Sequence, residues 1–201
     1  MANKVNQAQL WVGIVILVIA VVGLVVIYSG SVSNVKIGAV KIGVIVPLTG
    51  NAAGYGTSVK KGLELAKKEL GLDNIELIYE DSKCEGEEAV DSVNKLISSD
   101  NVQAVIGELC SGATLAAAPI AEQNKVVLIS PASTSPDITT SGDYLFRTVP
   151  SDMFQGKFGA EIAYHRYGKR NLAILYSDED YGVGFNRVLK ENFEKLGGKV
   201  V

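Results

Sequence analysis

Two hydrophobic rhythms alternate along most of the chain. Short continuous apolar runs read as buried strands, and longer stretches with an apolar residue every three or four positions read as helices. Lys41–Val46 (KIGVIV), closed by Pro47, is the first strand, followed by Ile75–Glu80, Val102–Ile106, Val126–Ile129 and Tyr144–Thr148. Between them, Tyr55–Leu70 sets Val59, Leu63, Ala66 and Leu70 on one helical face, with Glu64 four residues before Lys68 and Gly71 placed to end the helix. Glu87–Ile97 carries Val90, Val93 and Ile97 on one face and acids in its first turn. Gly112–Gln123 is rich in alanine, and Pro119 inside it predicts a kink or an early end. After Pro150 the alternation restarts. Asp152–Tyr167 reads as a helix, Leu172–Tyr176 as a strand and Tyr181–Leu196 as a helix; Gly197-Gly198 turns the chain into a strand at Lys199–Val201.

Strands and helices in this order imply an α/β fold, a parallel sheet covered by helices on both faces. In such folds ligands sit beyond the carboxyl ends of the strands. That rule singles out three turns: Pro47–Gly56, Leu109–Thr114 and Ser130–Asp137.

The start of the chain breaks the pattern. Leu10–Tyr28 (LWVGIVILVIAVVGLVVIY) is uninterrupted apolar sequence, and no charge occurs from Val5 to Val35. As a helix it reaches roughly 28 Å, enough to cross a bilayer core. Trp11 and Tyr28 stand at its ends, where aromatic residues favour the interface. The run is long for a cleaved signal, although Ser29-Gly30-Ser31 offers small residues for cleavage. The flanking charges, Lys4 before the run and Lys36 and Lys41 after it, are nearly balanced and do not fix its orientation. Ser29–Ala39 then forms a polar linker.

Composition agrees with this division. Mean hydropathy is +0.22 over 201 residues, and the excess lies in the N-terminal run. Without the first 30 residues only Lys4 is lost, leaving 18 basic and 22 acidic residues, an ordinary globular balance. A formal charge of −3 excludes the basic field of a general nucleic-acid binder.

The sequence offers little for catalysis. The first strand's turn, PLTGNAAGYG, is no dinucleotide fingerprint, and neither a Walker lysine pattern nor a G-x-S-x-G elbow occurs. His165 is the only histidine and sits in a distant helix, a poor base for a Cys110 nucleophile. One histidine and two separated cysteines make no metal set, and no cofactor is expected. Cys84 and Cys110 are an even pair beyond an export-type segment, consistent with a disulfide outside the cytoplasm or with two buried thiols. The turns suit a small zwitterion better. Ser111 lies where the third strand meets a helix, whose first amides favour an anion, though a serine there also serves as a plain cap. Ser130–Pro136 (SPASTSP) brings carbonyls and hydroxyls that can accept from an ammonium.

The stretches KIGVIVPLTGNAAGYGTSVKKGLELA, IYEDSKCEGEEAV, VIGELCSGAT, LISPASTSPDIT, LFRTVPSD and LYSDEDYGVG occur in the order and at about the spacing of a known family. Over Lys41–Val201 the chain resembles the leucine/isoleucine/valine-binding, type I periplasmic substrate-binding proteins. The resemblance implies a two-lobed α/β clamshell: residues 41–150 form the first lobe and 151–201 begin a second, truncated one. Residues 1–9 are then a short tail, 10–28 a transmembrane anchor or uncleaved signal, and 29–40 the linker. It also implies that Ser111 holds a ligand carboxylate and that Ala132 and Thr134, with Ser133 between them, hold carboxylate and ammonium. Tyr55 and Tyr181 become aromatic contacts from the two lobes, Leu109 a lining residue, and Cys84–Cys110 a disulfide. The acidic residue that usually faces the ligand ammonium in this family falls outside the matching stretches. The expected protein is no enzyme. It is a membrane-tethered, extracytoplasmic solute-binding protein that delivers amino acids to the permease of an ABC importer, the alternative being the ligand-sensing domain of a membrane receptor.

Overall fold

The computed structural model describes residues 38–201. The apolar run Leu10–Tyr28 lies outside them, and among the described residues no helix is long and apolar enough to cross a membrane.

The chain from Ala39 forms one compact unit. Its elements are β1 (Val40–Val46), α1 (Ala53–Glu69), β2 (Ile75–Asp81), α2 (Gly86–Ser98), β3 (Ala104–Gly107), α3 (Ser111–Asn124), β4 (Val127–Ser130), a 3-10 turn (Pro136–Thr140) and β5 (Leu145–Arg147). Then come α4 (Asp152–Glu161), a π-helical turn (Ile162–Arg166), β6 (Asn171–Leu172), α5 (Asp180–Lys195) and β7 (Lys199–Val200). The first five strands make a parallel sheet ordered β2-β1-β3-β4-β5, and β6 and β7 pair in parallel separately. The chain therefore reverses its direction of growth across the sheet beside β1, where β2 lies on one side and β3 on the other.

Alternation along β1 explains the two layers. Ile45 joins Ala89, Val93, Leu96, Val105, Ala113, Ala117 and Leu128 in a core under α2 and α3. Val44 and Val46 point the other way, to Val59 and Leu63 of α1. Each fully buried aliphatic side chain is worth about 1.5–3 kcal/mol. Gly56 lets α1 lie close to the turn before it, since a Cβ there would come within 1.9 Å of the Pro47 carbonyl oxygen.

Three elements depart from the sequence reading. The alanine-rich helix runs through Pro119 without a break. Pro119 is exposed, so the carbonyl it leaves unpaired can meet water, while Ala113, Ala117, Ala118 and Ala121 hold the opposite face in the core. The helix expected over Asp152–Tyr167 changes to a π-helical turn after Glu161. The strand expected over Leu172–Tyr176 is only Asn171–Leu172. β7 pairs only those two residues, and no other described strand lies alongside Ile174–Tyr176, so Leu175 projects fully into solvent.

Candidate functional site

The three turns marked by strand direction converge on one cleft of about 500 Å³. Tyr55, Leu109, Ser111, Ala132, Thr134 and Tyr181 all line it, six of the seven residues expected there. Pro47, Ala52, Cys84, Cys110, Gln155 and Glu179 complete the wall.

Ser111 is the first residue of α3, and Cys110 takes the cap position without a side-chain cap bond. The plain-cap role of Ser111 is thus not what the structure shows. Its buried hydroxyl accepts from the Ser135 amide at 3.2 Å, and its own proton goes to no described acceptor. The first backbone bond at this end runs from the Thr114 amide to the Cys110 carbonyl at 2.9 Å. The amides of Ser111, Gly112 and Ala113 are left free, as at every helix start, with the positive end of the dipole beside them. This wall of the cleft favours an anion.

Ser133 is the exception among the expected residues. It is turned inward, with its hydroxyl 2.6 Å from that of Thr114 and 3.1 Å from the Glu108 carbonyl oxygen, to which it donates. A three-residue turn cannot present all its side chains to one side, and Ser133 anchors it while Ala132 and Thr134 face the cleft.

Beneath the cleft lies Glu108, which sequence reasoning passed over. It is fully buried, and its carboxylate accepts from the Ser82 hydroxyl and the Cys110 amide. Its carbonyl accepts from the hydroxyls of Thr114, Ser130 and Ser133. Burial pushes its carboxyl up from the ordinary range, and the bonds from Ser82 and from the Cys110 and Leu109 amides oppose that rise. An acid inside the apolar run VIGELC was the signal for it. One residue thereby ties the ends of β2, β3 and β4 together. Cys84 and Cys110, joined as a disulfide with Cα atoms 5.5 Å apart, fasten the same place covalently. Their sulfurs lie near the Glu108 carboxylate. Because the sulfurs are bonded to each other, neither is a free thiolate for a metal or a nucleophile.

Asp81 secures the remaining turn. It accepts from the amides of Leu48 (2.8 Å) and Lys83 (3.0 Å) and from the Thr49 hydroxyl (2.5 Å). Burial works against its charge, but these bonds outweigh burial and hold its carboxyl below the usual range.

The opposite wall comes from α4 and α5. Glu179 is the one charged side chain among those lining the cleft, and the Ser177 hydroxyl donates to it at 3.1 Å. The start of α5 is pressed against the 3-10 turn: a Cβ on Gly184 would lie 2.9 Å from Pro136 Cδ, so only glycine allows this approach. Arg187 pairs with Asp137 across the same seam at 2.5 Å. These contacts carry Tyr181 and Glu179 over the cleft. Gln155 carried no sequence signal, because it reads as an ordinary exposed helix residue, and Glu179 reads as one acid of the polar stretch Ser177–Asp180 before the helix.

The cleft, polar at a helix start and apolar beside a disulfide, lies at the carboxyl ends of a parallel α/β sheet, where such folds hold ligands. Residues 39–201 match the periplasmic binding protein family, and the chain belongs to it. It is 33% identical over 169 residues, 80% of its length, to a leucine-, isoleucine-, valine-, threonine- and alanine-binding protein of Pseudomonas aeruginosa. Among solved structures it is similar to a leucine binding protein of Thermotoga maritima, with 37% identity over 81% of this chain and a TM-score of 0.75. It is also similar to a solute binding protein of an ABC transporter from Rhodopseudomonas palustris in complex with 3,4-dihydroxybenzoic acid, with 30% identity over 81% of this chain and a TM-score of 0.74. The chain spans 45–47% of the length of these three relatives.

Proposed function

We propose that this chain is the capturing part of an extracytoplasmic solute-binding protein of an ABC importer, and that it takes amino acids, branched-chain ones included. Residues 41–150 act as the first lobe and residues from 151 onward as the beginning of the second. The carrying observation is the convergence of Ser111, Ala132 and Thr134 with Tyr55, Leu109 and Tyr181 on one cleft. Ser111 and the first amides of α3 receive the ligand carboxylate. The Ala132–Thr134 turn orients the amine, and Leu109, Pro47 and the disulfide pack against the side chain. Tyr181 closes the cleft from above. The ligand contacts both walls, so its affinity for the closed arrangement drives closure. Capture involves no bond making, and the closed form docks on a permease. Leu10–Tyr28 tethers the protein to the membrane.

The names of the relatives support this reading, since they bind amino acids or a small carboxylic acid and one is named as part of an ABC transporter. Thermal shift of the native full-length protein against the proteinogenic amino acids tests it. A stabilising amino acid is expected, with Thr134→Ala weakening it by roughly 1–3 kcal/mol, the scale of a hydrogen bond to a charged group. An unresponsive wild type, or a Thr134→Ala variant that binds as before, contradicts it.

A further inference from the structure

Cys84 and Cys110 both line the cleft and are both partly exposed, so a small molecule that enters the cleft reaches the bond between them. The two ends of that bond are unlike. Cys84 lies in the turn after β2, with a left-handed φ of 73°. Cys110 is the cap residue of α3, and its carbonyl accepts the first backbone bond of that helix, from the Thr114 amide at 2.9 Å. The free amides and the dipole at a helix start stabilise a sulfur as thiolate. The Cys110 sulfur is therefore the better leaving group, and an attacking thiolate does best at Cys84.

Behind the bond lies an acid that capture does not use. The Glu108 carboxylate is fully buried, and it and the two sulfurs lie within 4.8 Å of one another. Asp81, at the end of β2, is the charged group that acts on it; the Ser82 hydroxyl and the Cys110 and Leu109 amides are neutral donors to it. The hydroxyls of Thr114, Ser130 and Ser133 reach only its backbone carbonyl. Burial, aided by the Asp81 charge, pushes the carboxyl up against those donors. A charged Glu108 repels a thiolate leaving beside it, whereas a neutral one holds a proton for it.

We propose that Cys84–Cys110 is a thiol–disulfide exchange site, open to small thiols through the cleft, with Glu108 as its proton donor. The attacking thiolate forms a new S–S bond to Cys84. The Cys84–Cys110 bond breaks, its electron pair goes to the Cys110 sulfur, and that sulfur takes the Glu108 proton to become a thiol. A second thiol then attacks the mixed disulfide, leaving Cys84 as a thiol and the reagent oxidised by two electrons. In reverse, the Glu108 carboxylate takes the Cys110 proton back as the bond re-forms. With the bond open, the turn carrying Cys84 is no longer fastened to the start of α3, which makes the wall beside Ser111 redox-sensitive. This reactivity goes beyond capture and does not depend on it.

Reduction of the native full-length protein by dithiothreitol tests this, with the Cys84 and Cys110 thiols trapped by iodoacetamide and counted by peptide mass. Rates are divided by the reagent's own thiolate fraction from about pH 5 to about pH 9, a range in which a raised carboxyl titrates and Asp81 stays charged. In wild type the corrected rate should fall by at least about tenfold as Glu108 ionises. Glu108→Gln, which cannot ionise, should abolish that fall. Ser82→Ala removes a bond that favours the charged carboxylate, so its fall should move to higher pH. A Glu108 that only ties strands together would instead speed reduction of Glu108→Gln in step with lost stability, and the wild-type profile would show no inflection. A flat corrected profile in wild type, a fall that survives in Glu108→Gln, or a bond that opens only when urea unfolds the protein overturns the exchange site. If Glu108→Gln does not fold, Ser82→Ala decides: a fall at the wild-type pH overturns the role of Glu108, and a fall at higher pH supports it.

Discussion

Residues 39–150 and residues 151–201 are written in the same alternation of strand and helix, yet they are held together differently. In the first region, five strands sit between α1 on one face and α2 and α3 on the other, and the strand ends are tied by Glu108, Asp81 and a disulfide. In the second, two helices pack on each other through Gly156 and Gly159 against Val188 and Leu189, and the strands are two residues each. Leu175, Phe154 and Phe158 are exposed there. Both regions reach the cleft, but the first supplies most of its wall, polar at Ser111 and Thr134 and apolar at Pro47, Leu109 and the disulfide, and the second lays Gln155, Glu179 and Tyr181 over it. A densely packed first region beside a lightly attached second one is the division of labour that the capture proposed above needs.

Substitutions can break that contrast. Leu128→Ala in the first core should cost about 2–5 kcal/mol, while Leu175→Ser, at full exposure, should change stability by no more than about 0.5 kcal/mol. Urea unfolding of the two variants checks both numbers; equal costs would erase the distinction. Next in size is the disulfide, which spans 26 residues and so should be worth roughly 3–4 kcal/mol by loop-closure entropy. Cys84→Ser with Cys110→Ser should lower the melting temperature and loosen ligand binding together, because both cysteines line the cleft.

Acid sharpens the comparison. Glu108 and Asp152 have raised carboxyl pKa values, so the folded state holds protons there that the unfolded chain has lost. Stability should therefore fall as pH rises from about 4, the ordinary carboxyl range, through their raised values. Asp81 is lowered, so its contribution is present above the ordinary carboxyl range and is lost as pH falls through its folded value. Melting curves from neutral to strongly acidic pH should show a mild maximum on the acidic side. Glu108→Gln should flatten its neutral flank and Asp81→Asn its acidic flank. A wild-type curve that Glu108→Gln leaves unaltered would contradict the role given to Glu108. The smallest effect belongs to the exposed Arg187–Asp137 pair: Arg187→Ala should cost less than about 1 kcal/mol of stability. Because that pair spans the seam, its loss should show more clearly as a faster ligand off-rate in stopped-flow measurements.

The strands and helices of the first region were legible because their partners are local in the pattern: apolar runs of strand length, periodic helices and punctuating turns. The cleft followed from strand direction alone, since the loops at the carboxyl ends had to meet. Pro119 misled because a proline's effect depends on whether it faces solvent, which an alanine-rich helix without a marked polar face does not reveal. Leu172–Tyr176 misled for the opposite reason: its apolar pattern asks for neighbours, and pairing is decided by what lies beside a strand. Ser133 differs from Ala132 and Thr134 only in the direction its side chain takes in one turn. Asp152 looked like an ordinary first-turn acid, and nothing local distinguishes a buried one from a solvated one.

The account stands most directly on the start of α3. Amide resonances of Ser111, Gly112 and Ala113, followed by NMR while the best-binding amino acid is added to the native protein, report on that end alone. The account predicts that all three move with the ligand's own saturation curve, and that Ser111→Ala weakens the curve. If ligand binds and these three amides stay where they were, the carboxylate is held elsewhere and the site described here is not the one that captures it.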